Sequence, residues 1–322
     1  MAVSASQLAA PRHWPLWVGV GVAWLACRLP VPWQASVGRG LGLLAWRAGG
    51  RRRRIADANI DLCFPELSPR ERAGLVRRTF QASGIGLMET VQAWLGPVDA
   101  VADRLECHGL DDLLEAQAEG RGVLLAGAHF LTLDLTGALV ASRVPFDVVY
   151  RGHRNPVIEW LMVRGRRRHY GAVIERHDLR RAARRLREGH IVWYAADQDY
   201  GRRHSVFAPL FGEPAATVVA TARLARMGGS PVVFYSHFRD EETRTWSVRF
   251  QRVADFPSGD DEADAARLNA ILESEIRRHP EQYLWLHRRF KTRPDGMESP
   301  YGAWGRRRER RRRKRRRGVT AP

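Results

Sequence analysis

Residues 122–140 constrain the fold of this chain more than any other stretch. The small and apolar residues at 123–128 predict a strand buried on both faces, because such strands show a continuous apolar run rather than alternation. Leucines then recur at helical spacing from Leu131, so we expect the chain to turn from strand to helix at His129. This order places an imidazole at the carboxyl end of a strand, where sites in open α/β sheets usually lie.

An acidic residue, Asp134, follows His129 closely enough for the two side chains to meet. On an ideal helix they would point roughly 140° apart, so they meet only if His129 precedes the helix. In that geometry the carboxylate holds one ring nitrogen and leaves the other free to accept a proton. His237 and Glu242 have the same separation as His129 and Asp134, but about one such pair of a histidine and an acidic residue is expected by chance. Because His237 precedes a charged turn, we interpret its match as accidental.

Strand and helix patterns alternate from residue 106 onward, which predicts an α/β fold with a mixed, mostly parallel sheet flanked by helices. Ser68 and Glu71 form a capping-box pattern that starts an earlier helix, on which we interpret Glu89 as a solvated position. Asp178 is the predicted N-cap of a later helix. The predicted strands cover residues 123–128, 146–150, 173–175, 191–195, 231–236 and 246–250, and the predicted helices 112–118, 131–141, 156–170, 178–187, 215–227 and 262–278.

The net charge is unusually positive, at +18 over 322 residues. Residues 306–322 form a basic tail that we expect to be disordered, and the rest of the chain is still basic. Such a balance favours anionic partners, namely nucleic acid, phospholipid, a phosphorylated substrate or an acidic protein. The 3 cysteines are widely separated, which excludes a CxxC metal or redox site and gives no disulfide framework.

The amino-terminal residues 1–50 are predicted to anchor the chain to a membrane. Residues 14–27 carry no charge and contain several tryptophans. They either extend into one marginal span, with Arg28 snorkelling, or lie in the interface with the tryptophans at headgroup level. A buried core helix is the alternative, and a cleaved signal peptide is disfavoured because the basic residues follow the apolar segment. Because the basic residues lie on the C-terminal side of the apolar segment, residues 51–305 are predicted to form a cytoplasmic domain.

An arginine-rich cluster follows the predicted strand at 146–150. Arg151 and Asn155 come directly after that strand, and Arg164 and Arg166 lie on the helix that follows. Runs of arginine usually form a solvated face. At the edge of a sheet, however, they can clamp a phosphate or stabilise a developing oxyanion, so these four residues are candidate site residues.

A second cluster, Asp197 and Asp199, follows the apolar strand at 191–195. Both aspartates are therefore expected at the same carboxyl edge as His129. Aspartate pairs can bind a metal, but no further ligand has a supporting spacing, so we predict no metal. Glycine loops of the P-loop or Rossmann form do not occur, which argues against a nucleotide cofactor.

Together these motifs resemble the late acyltransferases of lipid A biosynthesis, of the lauroyltransferase type, within the lysophospholipid acyltransferase superfamily. The resemblance extends over residues 14–300 and adds three further stretches to the clusters above. These stretches are residues 59–66, 205–211 and 280–294. It implies a glycerolipid acyltransferase-like fold with an N-terminal membrane helix, on the bacterial inner membrane.

The resemblance also implies an activity. The enzyme would move an acyl group from acyl carrier protein to a hydroxyl of a Kdo-lipid IVA type precursor, with the donor's phosphopantetheine and no other cofactor. His129, Asp134, Arg166 and Asp197 would be catalytic. His129 would be the base and Asp134 would fix its tautomer, while Asp197 would orient the arginine or the sugar. Arg151, Asn155, Arg164 and Asp199 would bind substrate.

Three other functions fit parts of the pattern. A related acyltransferase could use another membrane lipid, such as a phosphoglycerolipid, a mannosylated phosphoinositide or an ornithine lipid. A nucleic-acid-binding protein is suggested only by the charge, and it leaves the apolar amino terminus unexplained. A catalytically inactive membrane scaffold is disfavoured by the intact pair of His129 and Asp134.

Overall fold

The buried strand after residue 122 forms the centre of a seven-stranded sheet. The computed structural model describes residues 4–302, so the basic tail at 306–322 lies outside the described residues. Strands in the described part are β1 (Leu105–His108), β2 (Leu124–Gly127), β3 (Asp147–Tyr150), β4 (Val173–Glu175), β5 (Val192–Ala195), β6 (Ser205–Leu210), β7 (Glu213–Val218), β8 (Val232–Asp240) and β9 (Thr245–Arg252).

Helices surround this sheet on both faces. Those in the described residues are α1 (Ala5–Ala9), α2 (Trp14–Ala26), α3 (Val31–Ala48), α4 (Gly50–Cys63), α5 (Pro69–Leu95), α6 (Leu110–Ala118), α7 (Leu133–Ala141), α8 (Pro156–Arg166), α9 (Leu179–Arg187), α10 (Ala220–Gly228) and α11 (Asp261–Arg278).

The sheet is mixed and mostly parallel, in the order β1-β9-β8-β2-β5-β3-β4. Only β8 and β9 pair antiparallel within it, and β6 and β7 form a separate hairpin. The central strand contributes to two cores, since Leu124 and Ala126 belong to one and Val123 and Leu125 to the other. Burial on both faces explains its continuous apolar run and confirms the predicted fold class.

Local signals were reliable where a side chain caps a helix. Ser68 and Glu71 form the capping box of α5, and Asp178 accepts a hydrogen bond from a backbone amide at the start of α9.

The predicted helix at 215–227 was partly wrong, because residues up to Val218 belong to β7 and the helix begins at Ala220. There the hairpin pairing of β7 with β6 overrides the helical propensity of alanine.

The interpretation of Glu89 as a solvated position was also wrong. Its side chain is buried, accepts a hydrogen bond from Trp246 Nε1 at 2.7 Å, and pairs with Arg239 Nη1 at 2.7 Å. A buried carboxylate needs such partners to offset its desolvation. Glu89 therefore joins α5 to β8 and β9 rather than facing water.

The predicted N-terminal spanning helix is not supported. Within residues 4–302, no helix is both long and apolar enough to cross a membrane. The apolar helix α2 has 13 residues, and the chain turns after Cys27 before α3 begins beyond Pro30. Arg39 and Arg47 then interrupt the apolar character of α3.

Helices α2 and α3 carry an apolar face that nothing else within residues 4–302 covers. Helix α3 packs along α5 through Gln34, Gly38 and Gly42. Large apolar side chains recur every three or four residues along the exposed side of each helix, and Leu29 in the turn between them is exposed too. We call this set the apolar stripe: Trp14, Val18, Val22, Leu25, Leu29, Trp33, Val37, Leu41 and Leu44. An exposed apolar surface of this extent marks an interaction site.

The close approach of α3 to α5 predicts opposite effects for two neighbouring glycines. A Cβ at Gly42 would lie 2.1 Å from the Phe80 carbonyl oxygen, whereas Gly40 has nothing within 4 Å. Gly42→Ala should therefore lower the free energy of unfolding by about 1–3 kcal/mol. The control Gly40→Ala should raise it by up to about 1 kcal/mol, because alanine favours a helix interior. Denaturant unfolding measures both, and equal effects would contradict the packing.

Candidate active site

The sheet register brings His129 and Asp197 together. Strands β2 and β5 are parallel neighbours, and Gly127 pairs with Ala195. His129 and Asp197 each lie two residues beyond these paired positions, so both side chains emerge at the same carboxyl edge. This confirms the predicted location of the histidine between strand and helix.

The Asp197 carboxylate is the centre of the site. Its Oδ1 accepts from His129 Nδ1 at 2.7 Å, and its Oδ2 accepts from the His129 backbone amide at 3.0 Å and the Tyr283 hydroxyl at 3.1 Å. Burial alone would raise its pKa, but the His129 ring and the hydrogen bonds from His129 hold that pKa at about 2. Asp197 is therefore ionised at neutral pH and acts only as an acceptor.

The ionised carboxylate determines the tautomer of His129. Since Asp197 can only accept, the proton of the neutral ring lies on Nδ1 and the lone pair on Nε2. Burial lowers the pKa of His129, but the charge of Asp197 and its hydrogen bond outweigh burial and raise the pKa above its usual value. The His129 side chain as a whole keeps 27% exposure. The Gln198 side-chain amide donates to Nε2 at 3.1 Å.

The predicted contact between Asp134 and His129 was wrong. Asp134 lies in the first turn of α7, and its Oδ1 accepts from Arg166 Nε and Nη2, each at 3.0 Å. Asp197 already occupies the ring nitrogen that Asp134 was expected to hold. The two acidic residues have therefore exchanged the predicted contacts: Asp197 orients the histidine, and Asp134 holds the arginine.

A narrow crevice lies beside the Asp134–Arg166 pair. It lies between α7, α8 and the sheet and has a volume of only about 20 Å³. Most of its lining is apolar or aromatic, and Trp193 lies along it. The Trp193 ring is also 6.4 Å from the His129 ring, so the crevice begins next to the histidine.

The prediction that Asp199 binds substrate is contradicted by its contacts. Its side chain is buried and accepts hydrogen bonds from the Thr292 amide at 2.8 Å, the Thr292 hydroxyl at 2.9 Å and the Gly201 amide at 2.8 Å. It also pairs with Lys291 Nζ at 3.1 Å. With both oxygens occupied, Asp199 attaches the loop after β5 to residues 291–292 instead of facing a ligand.

The other predicted substrate-binding residues lie around α8. Arg151 is exposed in the loop before this helix, and Asn155 is its N-cap, with Oδ1 accepting from the amides of Val157 and Ile158. That oxygen serves the helix rather than a substrate. Arg164 is exposed and lies over the Trp160 ring, 5.2 Å from its centroid, with Trp17 of α2 against the same ring.

Three residues near His129 were missed by the sequence analysis: Gln198, Tyr283 and Trp193. Gln198 lies between the two aspartates already identified, so that position was the available signal. Tyr283 reaches the site because residues 282–284 pair with the backbone at 129–131, which no local pattern indicates.

His237 does not pair with Glu242, and its Nδ1 lies 2.7 Å from Thr132 Oγ1 in the core. In the part of the chain that the structure describes, no three His, Cys, Asp or Glu side chains are arranged to hold a metal ion.

The sequence is similar to those of known lipid A biosynthesis acyltransferases. The family model for bacterial lipid A biosynthesis acyltransferases matches residues 2–292. A lipid A biosynthesis lauroyltransferase of Escherichia coli (strain K12) is 43% identical over 299 residues, which cover 92% of this chain and 98% of the relative. A palmitoleoyltransferase from the same organism is 40% identical over 293 residues, covering 90% and 95%. A lipid A biosynthesis acyltransferase of Haemophilus influenzae is 36% identical over 291 residues, covering 89% and 93%.

The contacts of Asp199 predict that it stabilises the loop carrying Asp197 and Gln198. Asp199→Ala leaves Lys291 partly buried without its carboxylate and should lower the free energy of unfolding by about 3–5 kcal/mol. Asp295→Ala removes an exposed partner of Arg202 from the same part of the chain and should change it by less than about 1 kcal/mol. Chemical denaturation compares the two, and similar values would refute the role of Asp199.

Proposed function

This chain belongs to the family of bacterial lipid A biosynthesis acyltransferases, and on that premise we propose that it transfers an acyl group from acyl carrier protein to a lipid A precursor. The acceptor is a hydroxyl of a Kdo-lipid IVA type molecule, and His129 is the general base. The observation that carries this assignment is the partly exposed side chain of His129 at the strand end, whose ring is held by the ionised Asp197 so that the lone pair lies on Nε2. No cofactor is required beyond the phosphopantetheine of the donor.

The first step is attack on the thioester. The acceptor hydroxyl gives its proton to His129 Nε2 as its oxygen forms a bond to the thioester carbonyl carbon. The resulting imidazolium keeps its Nδ1–H bond to the buried, negatively charged Asp197, which stabilises the positive charge. Asp197 is thus a positioning residue that also favours the protonated form of the base.

The second step is cleavage of the carbon–sulfur bond. The tetrahedral intermediate collapses, the phosphopantetheine sulfur leaves, and the proton on His129 Nε2 passes to that sulfur. The products are an ester on the lipid and a free thiol on the carrier protein, and His129 returns to its neutral state. No acyl-enzyme is needed, because the acceptor attacks the donor directly.

Arg166 and the crevice are the proposed contacts for the parts of the substrates that His129 does not reach. The Arg166–Asp134 pair lines the crevice along which Trp193 lies, and the Trp193 ring is 6.4 Å from the His129 ring. We assign Arg166 to the oxygen that becomes negative during attack, or to an acceptor phosphate, with Asp134 fixing its side chain. The crevice beside this pair is lined mostly by apolar side chains, so we assign the hydrocarbon chain of the donor to it; at about 20 Å³ the crevice would have to widen to admit the chain.

An acidic carrier protein fits the charge of helix α9. Arg180, Arg181 and Arg184 are exposed on this helix, which follows β4 at the same edge of the sheet as His129. A basic surface at that edge attracts an acidic partner and raises the rate of encounter. The donor thioester would then enter the site from the α9 side.

The apolar stripe of α2 and α3 accounts for access to a lipid acceptor. We propose that the stripe lies in the interface of the bacterial inner membrane, with the catalytic domain on the cytoplasmic side. Arg164 lies over Trp160, which contacts α2, so its charge is near the proposed membrane surface. Arg164 and the exposed Arg151 are therefore the proposed contacts for anionic headgroups or acceptor phosphates.

The proposal predicts that transfer depends on His129 and not on histidines elsewhere. His129→Ala should lower acyl transfer by about 10²- to 10⁴-fold, because this range is typical for loss of a general base. The matched control His108→Ala alters an exposed histidine on β1 and should leave the rate unchanged. Product is measured by mass spectrometry with acyl carrier protein thioester and the tetraacylated lipid A precursor. Near-normal transfer by His129→Ala would refute the mechanism.

Two further arms of that assay test the substrates. Replacing the carrier protein by an acyl-coenzyme A donor should slow transfer, because the acidic protein surface is lost. Comparing the rates of transfer to the precursor with and without its inner Kdo sugars shows which form is the acceptor. Faster turnover of a phosphoglycerolipid or an ornithine lipid than of either precursor would favour the alternative acceptors.

A further inference from the structure

The reactive nitrogen of His129 is already occupied in the structure. Gln198 Nε2 lies 3.1 Å from His129 Nε2, and the orientation of the ring by Asp197 leaves that nitrogen as the acceptor. The amide therefore donates into the lone pair that has to receive the proton of the acceptor hydroxyl. One lone pair cannot serve both donors, so the amide has to leave before the base can act.

The position of Gln198 on the backbone is fixed, while its side chain can rotate. The residue before it, Asp197, is held by His129 and Tyr283, and the residue after it, Asp199, by Gly201 and Thr292. The Gln198 side chain itself is only partly buried. A long side chain on a fixed backbone can move aside by rotamer change without loss of the site.

We propose that Gln198 is a displaceable cap on the general base. With no acceptor bound, its amide occupies His129 Nε2 and excludes water; an acceptor hydroxyl replaces the amide. This inference rests on the proposed function, since it assigns the control of the same base. A neutral hydrogen bond shifts an equilibrium by roughly 2- to 12-fold, so a bound hydroxyl can displace the amide.

The cap prevents a side reaction that the site otherwise permits. A water molecule at His129 Nε2 could lose a proton to the base while its oxygen bonds to the thioester carbon. The carbon–sulfur bond would then break, and the proton would pass to the leaving sulfur. The products would be a free fatty acid and the carrier thiol, so that donor would be consumed without acylation of the lipid.

A chemical probe tests the cap without any acyl transfer. Diethyl pyrocarbonate reacts with the unprotonated nitrogen of imidazole, and peptide mass spectrometry measures the rate at His129 with exposed His108 as internal reference. The rates are compared at their limit at high pH, so that a changed pKa of His129 does not enter. Gln198→Ala should react about 2- to 12-fold faster at His129 than the unaltered protein. The control Gln117→Ala, on the exposed side of α6, should leave that rate unchanged.

Donor hydrolysis without acceptor gives the second readout. Gln198→Ala should hydrolyse acyl carrier protein thioester about 2- to 12-fold faster, and the double variant His129→Ala/Gln198→Ala should lose that gain. Unchanged modification of His129 in Gln198→Ala would overturn the cap, and so would unchanged hydrolysis by a protein that transfers acyl groups normally. If the unaltered protein transferred no acyl group, the proposed function would fail while the modification rate still reported on the cap.

Discussion

The arrangement of the site depends on one buried carboxylate, that of Asp197. It contacts the ring and the backbone amide of His129 and the hydroxyl of Tyr283, so it joins the ends of β2 and β5 to the C-terminal part of the chain. A buried charge is tolerated only when such partners surround it. The hydrogen bonds that offset the desolvation of Asp197 also hold His129 in one tautomer. The same contacts therefore stabilise the fold and orient the proposed base.

The C-terminal residues complete this arrangement from a distance in sequence. The backbone at 282–284 pairs with residues 129–131, and Thr292 binds Asp199 beyond β5. Asn59 of α4 donates to the carbonyls of Trp285 and His287, each at 2.7 Å, so the same segment is anchored at its other side. The stretches at 59–66 and 280–294, which carry part of the family resemblance, therefore have a structural role in holding the loops of the site.

Much of the fold could be predicted from the sequence. The continuous apolar run at 123–128 identified the central strand, and the change of period after it placed His129 at the strand end. The β6–β7 hairpin was missed, because its second strand is rich in alanine and runs directly into α10. Glu89 was misread because its partners, Trp246 and Arg239, come from strands far along the chain.

The candidate site was predicted in composition but not in its pairing. His129, Asp134, Arg166 and Asp197 do lie at one edge, yet spacing along the chain suggested the wrong carboxylate for the histidine. The partner of a side chain at a strand end is set by the neighbouring strand, here through the pairing of Gly127 with Ala195. Spacing within one segment does not contain that information. Asp199 was misassigned for the same reason, because its partners belong to the C-terminal segment.

The central claim is that Asp197, and not Asp134, sets the protonation of His129. Titration of the His129 ring by NMR in Asp197→Asn and Asp134→Asn tests it directly. Asp197→Asn removes the charge that raises the pKa while burial continues to lower it, so the pKa of His129 should fall. Asp134 does not contact the His129 ring, so Asp134→Asn should lower the pKa of His129 less. An equal or larger fall in Asp134→Asn would contradict the account.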